Sequence, residues 1–499
     1  MSSQEDKNSE QRIFTPAKTL LTLLIVASLS LMLMAVFPKD GLQLGDEIVL
    51  LFPEIDDVLP QFEVDSTEIS PIENLEDFLS DYTVEIDSIA IEDSLKKAAA
   101  IKRKLLLKLQ LKDSTKHPLS FFFESLLALE KDKSKHVRAI HYGDSQIEGD
   151  RITGYLRNQF QEEYGGYGPG LLPSVEVVPS AAIKHENSEN WTRYTVFGRK
   201  DTLVKHQRYG VLGNFGRFTS PVLDSSAVPV LDSAWIELKP SNLTYSRSRK
   251  FDVMKLWLGE NRANVEFKVE LGDSLLSKEI LKPRGLSTKK YQFKSTPKSI
   301  RISFKGSDSP EVYGISLESN SGIHIDNIGM RGSSGTIFKK IDRALFKTQI
   351  AQLNPSFIIL QFGGNTVPYI DSDKKADDYG NWFASQIKYL QSICPNTSFL
   401  VIGPSDMAIK EKDKFVTYPY LLAVRDALKK VALENDCAFW DLYEVMGGLN
   451  SMEVWVNADP PLAGPDYVHF TIRGTKKVAE LLHKSIADDY ATWKEKNNE

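Results

Sequence analysis

The stretch HVRAIHYGDS, His136 to Ser145, decides the fold. It reads as a short strand that stops at Gly143 and delivers Asp144 and Ser145 into a turn. A helical pattern follows from about Glu148 to Glu163, with Ile152, Tyr155, Leu156 and Phe160 at helical spacing. The run Gly165-Gly-Tyr-Gly-Pro-Gly170 breaks it. The same strand-then-helix texture returns only after Gly322. There HIDNIGM, FIILQFGG, FLVIGP and AFWDLYE read as strands, with helices at about 335–351, 376–393 and 417–434 and a last one at 474–490. Such alternation implies a parallel sheet with helices on both faces. Functional residues of these sheets gather at the carboxyl ends of the strands, where Gly143, Gly329, Gly363 and Gly403 fall.

The intervening segment, 172–320, is different. Short alternating runs such as WIELK, NVEFKVELG and SIRISFKG are separated by turn residues, and no long helical pattern appears. This predicts an antiparallel β-sandwich inserted into a split α/β domain, whose parts are 113–171 and 321–499. The flanking strands belong to one sheet, so the insert's ends should lie together and the insert should fold as its own unit.

The N-terminal region is organised by charge. Leu20 to Phe37 contains no charged residue in 18 positions, long enough to cross a bilayer core. Lys7, Arg12 and Lys18 precede it and only Lys39 follows closely, so the positive-inside bias places the remainder outside the cytoplasm. The expected layout is a cytoplasmic tail (1–18), a transmembrane anchor (19–37) and a stalk (38–112). A cleaved signal peptide is the alternative for the apolar run. The stalk carries 17 acids and one lysine between Pro38 and Ser94, then seven basic residues and no acid between Lys96 and Lys112. The run KKAAAIKRKLLLKLQLK at its end reads as helical. The acidity thus belongs to the stalk, and a nucleic-acid partner is not expected. Two cysteines, Cys394 and Cys437, make no disulfide framework; they read as buried thiols or, alternatively, one bridge. Eight scattered histidines without a ligand motif call for no metal, and no cofactor is expected.

Four short islands carry the chemistry. Ser145 follows the first strand. A second Gly-Asp-Ser, at 272–274, lies between KVEL and LLSKEI and reads as a hairpin turn, a decoy. Asn327-Ile-Gly-Met-Arg-Gly332 ends another strand, where glycine permits close backbone approach to a reacting oxygen; Ser333 and Ser334 behind it read as helix caps. Gly363-Gly364-Asn365 places a side-chain amide where it can donate to a developing oxyanion. Asp466-Tyr-Val-His469 sets a carboxylate and an imidazole three residues apart, before the last helix. Each island alone is an ordinary turn. In this order they point to a serine esterase or acyltransferase.

The islands resemble the blocks of SGNH (GDSL-type) hydrolases over about 136–170 and 322–490. The resemblance implies a flavodoxin-like three-layer α/β fold, Ser145 as nucleophile, His469 as base and Asp466 as its partner. It implies an oxyanion hole made by the Ser145 and Gly332 N–H groups and the Asn365 side chain. Thr366 stands where many members have Asp. HYGDSQ, the β-rich insert, DNIGMRGSSG, and MGGLNSMEVW ahead of DYVHFT are similar to peptidoglycan O-acetylesterases, in which the insert resembles carbohydrate-binding modules. The expectation is an esterase anchored in the inner membrane, with its body in the periplasm, removing O-acetyl groups from a cell-envelope glycan. Trp455 is expected to line the cleft as a substrate-binding residue, whereas Trp191, Trp235 and Trp257 read as core. Two alternatives stay open: an O-acetyltransferase served by a membrane acyl-transfer partner, and a non-catalytic glycan-binding tether.

Overall fold

Five strands, buried on both faces along nearly their whole length, form the central sheet: β1 (His136–Gly143), β2 (Gly322–Gly329), β3 (Phe357–Gln361), β4 (Ser398–Ile402) and β5 (Ala438–Trp440). All neighbours are parallel and the order is β2-β1-β3-β4-β5. This is the flavodoxin-like order, whose switch point lies between β1 and β3. The computed structural model describes residues 42–43, 49–50, 105–112, 116–199, 201–222 and 230–498. The chain divides into two units, Met1–Ser88 and Ile89–Glu499. The described part of the first is a two-residue antiparallel ladder, Leu42–Gln43 with Val49–Leu50. The expected anchor lies outside the described residues, and among the described ones no helix is long and apolar enough to cross a membrane.

Alternating side chains send each strand into two cores. Phe357 and Ile359 of β3 join one apolar cluster, Ile358 and Leu360 the other. The first is covered by α1 (Ser120–Lys131), α2 (Thr153–Tyr164) and a long C-terminal helix, through residues such as Phe122, Leu156 and Leu482. The second is covered by α3 (Arg343–Leu353), α4 (Asp373–Ile393) and α5 (Leu421–Glu434), through Phe346, Phe383 and Leu428. Two short helices, α6 (Leu442–Met446) and α7 (Ser451–Val456), precede the C-terminal helix α8 (Ile472–Asn498).

The insert is a sandwich of two antiparallel sheets. One holds Ile183–Asn187, Asp232–Pro240, Val265–Leu271, Ser274–Leu281 and Ile300–Gly306; the other holds Thr192–Thr195, Asn214–Arg217, Val253–Leu258, Ser287–Gln292 and Val312–Glu318. The short strand Gly170–Leu172 pairs with Val312–Glu318, so the sandwich begins slightly before 172. Leu271 pairs with Ser274, which makes Gly272-Asp273 a two-residue hairpin loop with Gly272 at φ 58°, as expected of the decoy.

Five expectations need correction. No helix opens directly behind Ser145: Gly149 (φ 67°) and Asp150 (φ 64°) take left-handed backbone, and α2 begins only at Thr153. Asp342, not Ser333 or Ser334, caps α3, accepting from Leu345 N at 2.8 Å. The run AFWDLYE leaves the sheet after Trp440, because the Asp441 side chain caps α6. In the basic run, residues 105–107 are helical but Gln110 exchanges backbone hydrogen bonds of 2.8 and 2.9 Å with Phe439, covering the open edge at β5. Leu107 and Leu109 are buried there, so the body starts before 113. Finally, the sandwich is packed into the α/β core and does not stand apart from it. It leaves and returns at one place, with Ser319 N on Tyr167 O and Ile323 N on Gly165 O. However, its Phe215, Trp257 and Tyr313 share one apolar cluster with Tyr142, Phe346 and Ile350 of the α/β core. Buried Arg138 of β1 also bonds Asp326 of β2 at 2.7 and 2.8 Å and reaches Glu318 of the sandwich.

Candidate active site

The strand ends assemble the islands. β1 stops at Gly143, where an added Cβ would sit 3.0 Å from Ile147 and 3.1 Å from the Gln361 carbonyl, tighter than ordinary packing, which favours glycine where β1 and β3 approach. Ser145 follows. Its Oγ lies 2.8 Å from His469 Nε2, and His469 Nδ1 lies 2.7 Å from Asp466 Oδ2. Asp466 Oδ1 accepts from the backbone N–H groups of Val468 and His469 at 3.1 and 3.0 Å. Burial pushes the Asp466 carboxyl up, but the His469 ring and these two donors outweigh it and hold it below the usual carboxylate range.

Three props fix this loop. Tyr467 takes φ 55°, and its ring stacks on Phe415, centroids 3.5 Å apart and 7° from parallel; Phe415 belongs to the hairpin Ala408–Glu411 with Lys414–Thr417. Gly464 N donates to His469 O at 2.7 Å. Gln146 Nε2 donates to Val468 O at 2.7 Å, tying the base loop to the residue beside the nucleophile.

A cleft of about 730 Å³ contains Ser145, Gly332, Asn365, Asp466 and His469 together. Gly332 takes φ 73°, which favours glycine. Asn365 Nδ2 lies 3.3 Å from Ser333 O, a long hydrogen bond. Asp144 is buried and lines the cleft. Burial raises its carboxyl to about 6, against the lowering effect of the Gln146 N–H, the His469 charge and the Asn365 amide. Asn327, from the same island as Gly332, does not reach the cleft; its Oδ1 accepts from Thr153 Oγ1 at 2.7 Å in a buried net that includes His141. Ser333 is buried, its Oγ accepting from Gly335 N.

Trp455 is the one site expectation the structure overturns. It is 7% exposed, packs against Phe470, and its indole donates to Met446 O at 3.0 Å. Its carbonyl receives Leu462 N and Ala463 N, so it anchors the start of the base loop from within the core. The aromatic groups lining the cleft are Tyr369, 79% exposed, Tyr418 and the buried Phe362. Tyr369 carries no periodic signal because it sits on a short turn, Val367–Tyr369, behind Asn365. Arg151 and Arg331 also line the cleft and were missed; Arg151 donates to the Ser145 carbonyl at 2.5 Å. Only the tertiary fold shows that these two point inward.

Cys394 and Cys437 are free and buried, and burial pushes the Cys394 thiol up to about 12. Among the described residues one group has metal-ligand spacing, His136, Glu318 and His324, within 4.8 Å. It fits a cation poorly. The two rings stack face to face at 4.3 Å, so their lone pairs do not converge, and Arg138 and Lys255 already pair with Glu318. It also sits at the amino ends of β1 and β2, opposite the cleft.

No family model matches this chain, and no curated protein matches it. A solved structure described as a peptidoglycan O-acetylesterase in action is similar over 77% of this chain and 99% of its own, at 18% identity and a TM-score of 0.59. An acetyl xylan esterase and the acetylxylan esterase Axe2 from Geobacillus stearothermophilus each align with 33% of this chain and with 81% and 73% of their own, at 19% identity and TM-scores of 0.26 and 0.25. The first likeness establishes a shared fold; the other two superpose too loosely to add to it.

Proposed function

We propose that this protein is a serine esterase that removes O-acetyl groups from a glycan of the cell envelope. The observation that carries the reading is the chain Ser145 Oγ, His469 Nε2, His469 Nδ1, Asp466 Oδ2, with links of 2.8 and 2.7 Å, in the cleft that holds Gly332 and Asn365. Ser145 Oγ attacks the acetyl carbonyl carbon while His469 Nε2 takes its proton. The carbonyl oxygen becomes an oxyanion held by the Ser145 and Gly332 N–H groups and by Asn365, which gives up its long contact with Ser333 O. The C–O bond to the sugar breaks, and the sugar oxygen takes the proton from His469. Water, deprotonated by His469, then attacks the acetyl-serine. Acetate leaves and Ser145 recovers its proton.

The exposed Tyr369 ring suits the apolar face of a sugar. The side chains of His469 and Asp466 are 39% and 51% exposed, which leaves the acetyl-serine open to water and favours hydrolysis over transfer. The sandwich is proposed to hold the polymer, and the uncharged run Leu20–Phe37 to anchor the chain with its body outside the cytoplasm.

The test is acetate release by the full chain from O-acetylated peptidoglycan and acetylated xylan, with p-nitrophenyl acetate as a small ester. Ser145→Ala abolishes all three and Ser274→Ala none. Equal activity in Ser145→Ala and the parent protein refutes the mechanism.

A further inference from the structure

Of the two guanidinium groups at the cleft, Arg151 is committed to backbone: it donates to the carbonyls of Ser145 and Glu148. Arg331 is different. Its Nε and Nη2 are fixed on Glu148 Oε2, at 2.7 and 2.6 Å, while the side chain remains 61% exposed at the cleft wall. Glu148 is itself buried against Gly329, where an added Cβ would come within 3.2 Å of it. Arg331 is thus pinned along one edge, and no described residue takes the Nη1/Nη2 edge. A guanidinium edge of parallel N–H donors matches the two oxygens of a carboxylate, and a pre-oriented one loses little freedom on binding. The carboxylates of the cleft do not compete for it: Asp466 is bound to His469, and buried Asp144 accepts from Gln146 N. Arg331 also directly precedes Gly332 and lines the same cleft as Ser145.

We infer that Arg331 reads a carboxylate on the glycan, so that the preferred substrate is an acidic O-acetylated sugar and not a neutral one. This deepens the esterase reading and rests on it. The test compares three acetylated oligosaccharides: galacturonates, the same galacturonates with their carboxyls methyl-esterified, and neutral xylo-oligosaccharides, with acetate release as the readout. The parent protein prefers the free acid over its methyl ester by about tenfold in kcat/KM, the size expected of one partly solvated charge-assisted pair. The preference shrinks as KCl is raised. Arg331→Gln brings the ratio near one, and Arg331→Lys keeps an intermediate value because a point charge cannot form the bidentate contact. Each ratio is internal to one variant, so a general loss of activity cancels. If Arg331→Gln releases no acetate at all, the Arg331→Lys ratio and the salt series decide. A parent ratio of one or below, or an Arg331→Gln ratio that stays near ten, overturns the inference. Release from the neutral oligosaccharides that Ser145→Ala abolishes shows that the esterase reading survives such a failure; release from none of the three overturns the inference, and p-nitrophenyl acetate and O-acetylated peptidoglycan, each with Ser145→Ala as control, then decide the esterase reading separately.

Discussion

Asp466→Asn tests the proposed base assembly most sharply, because the geometry predicts that it is worse than Asp466→Ala. In the native loop Asp466 Oδ1 accepts two backbone N–H groups and Oδ2 faces His469 Nδ1. An asparagine has one oxygen for these two tasks. Turning its NH₂ toward the backbone would set donors against donors and leave two N–H groups unpaired, at about 2 kcal/mol in total for partly solvated groups. Its oxygen therefore stays on the backbone and its NH₂ faces Nδ1. His469 must then carry its proton on Nε2, facing Ser145, where it cannot act as a base. The lost charge-assisted bond to the imidazolium adds about 2 kcal/mol. Together these predict a fall in kcat of roughly 10³. In Asp466→Ala, water can accept from Nδ1–H and the productive tautomer survives, so only the second contribution is lost, about 30-fold. The assay is the kcat of p-nitrophenyl acetate hydrolysis, with thermal melting to show that both variants are folded. Asp466→Asn within tenfold of the parent protein, or faster than Asp466→Ala, would refute the argument.

Three further predictions separate structural from functional roles. Trp455→Ala should destabilise the protein by about 3–5 kcal/mol through the cavity it leaves, whereas Tyr369→Ala should leave the melting temperature unchanged and raise KM on polymeric substrate; thermal melts and acetate-release kinetics on the two variants check this. Burial pushes the Glu176 carboxyl up to about 7. A raised carboxyl contributes stability that is fully present below the unfolded value, near 4.5, and is lost as pH rises from there through 7, so Glu176→Gln should match the parent protein at about pH 4 and be more stable by about 3 kcal/mol at pH 8; equal melting at pH 8 contradicts this. Replacing residues 172–320 with a Gly/Ser linker should give aggregated protein, because it strips the shared apolar cluster and leaves Arg138 without Glu318; a soluble product active on the small ester would show that the packing is dispensable.

The architecture was legible because it rests on local pattern. A strand buried on both faces is an apolar run, and Phe357–Gln361 and Ser398–Ile402 announce themselves as such. The hairpin at Gly272-Asp273 was legible for the same reason, since two alternating runs flank a two-residue turn. The misplacements fall where a single side chain competes with the pattern. Asp441 and Asp342 start helices that hydrophobic periodicity alone begins elsewhere. Gln110 pairs with a strand more than three hundred residues away.

For the site, sequence alone determined which residue types stand at the strand ends: Ser145 after β1, Gly332 beyond β2, Asn365 after β3, and Asp466 with His469 ahead of the last helix. A parallel sheet brings those ends to one side whatever the side chains do. Tertiary structure decided the rest. It placed Trp455 in the core and Tyr369 at the cleft, because exposure depends on which elements pack over a turn and leaves no trace in local spacing. It brought Gln146 onto Val468 and Phe415 onto Tyr467, contacts between segments that no periodicity links. It also joined the sandwich to the α/β core through Arg138, Asp326 and Glu318, since an ion pair is fixed by three-dimensional proximity and not by order along the chain.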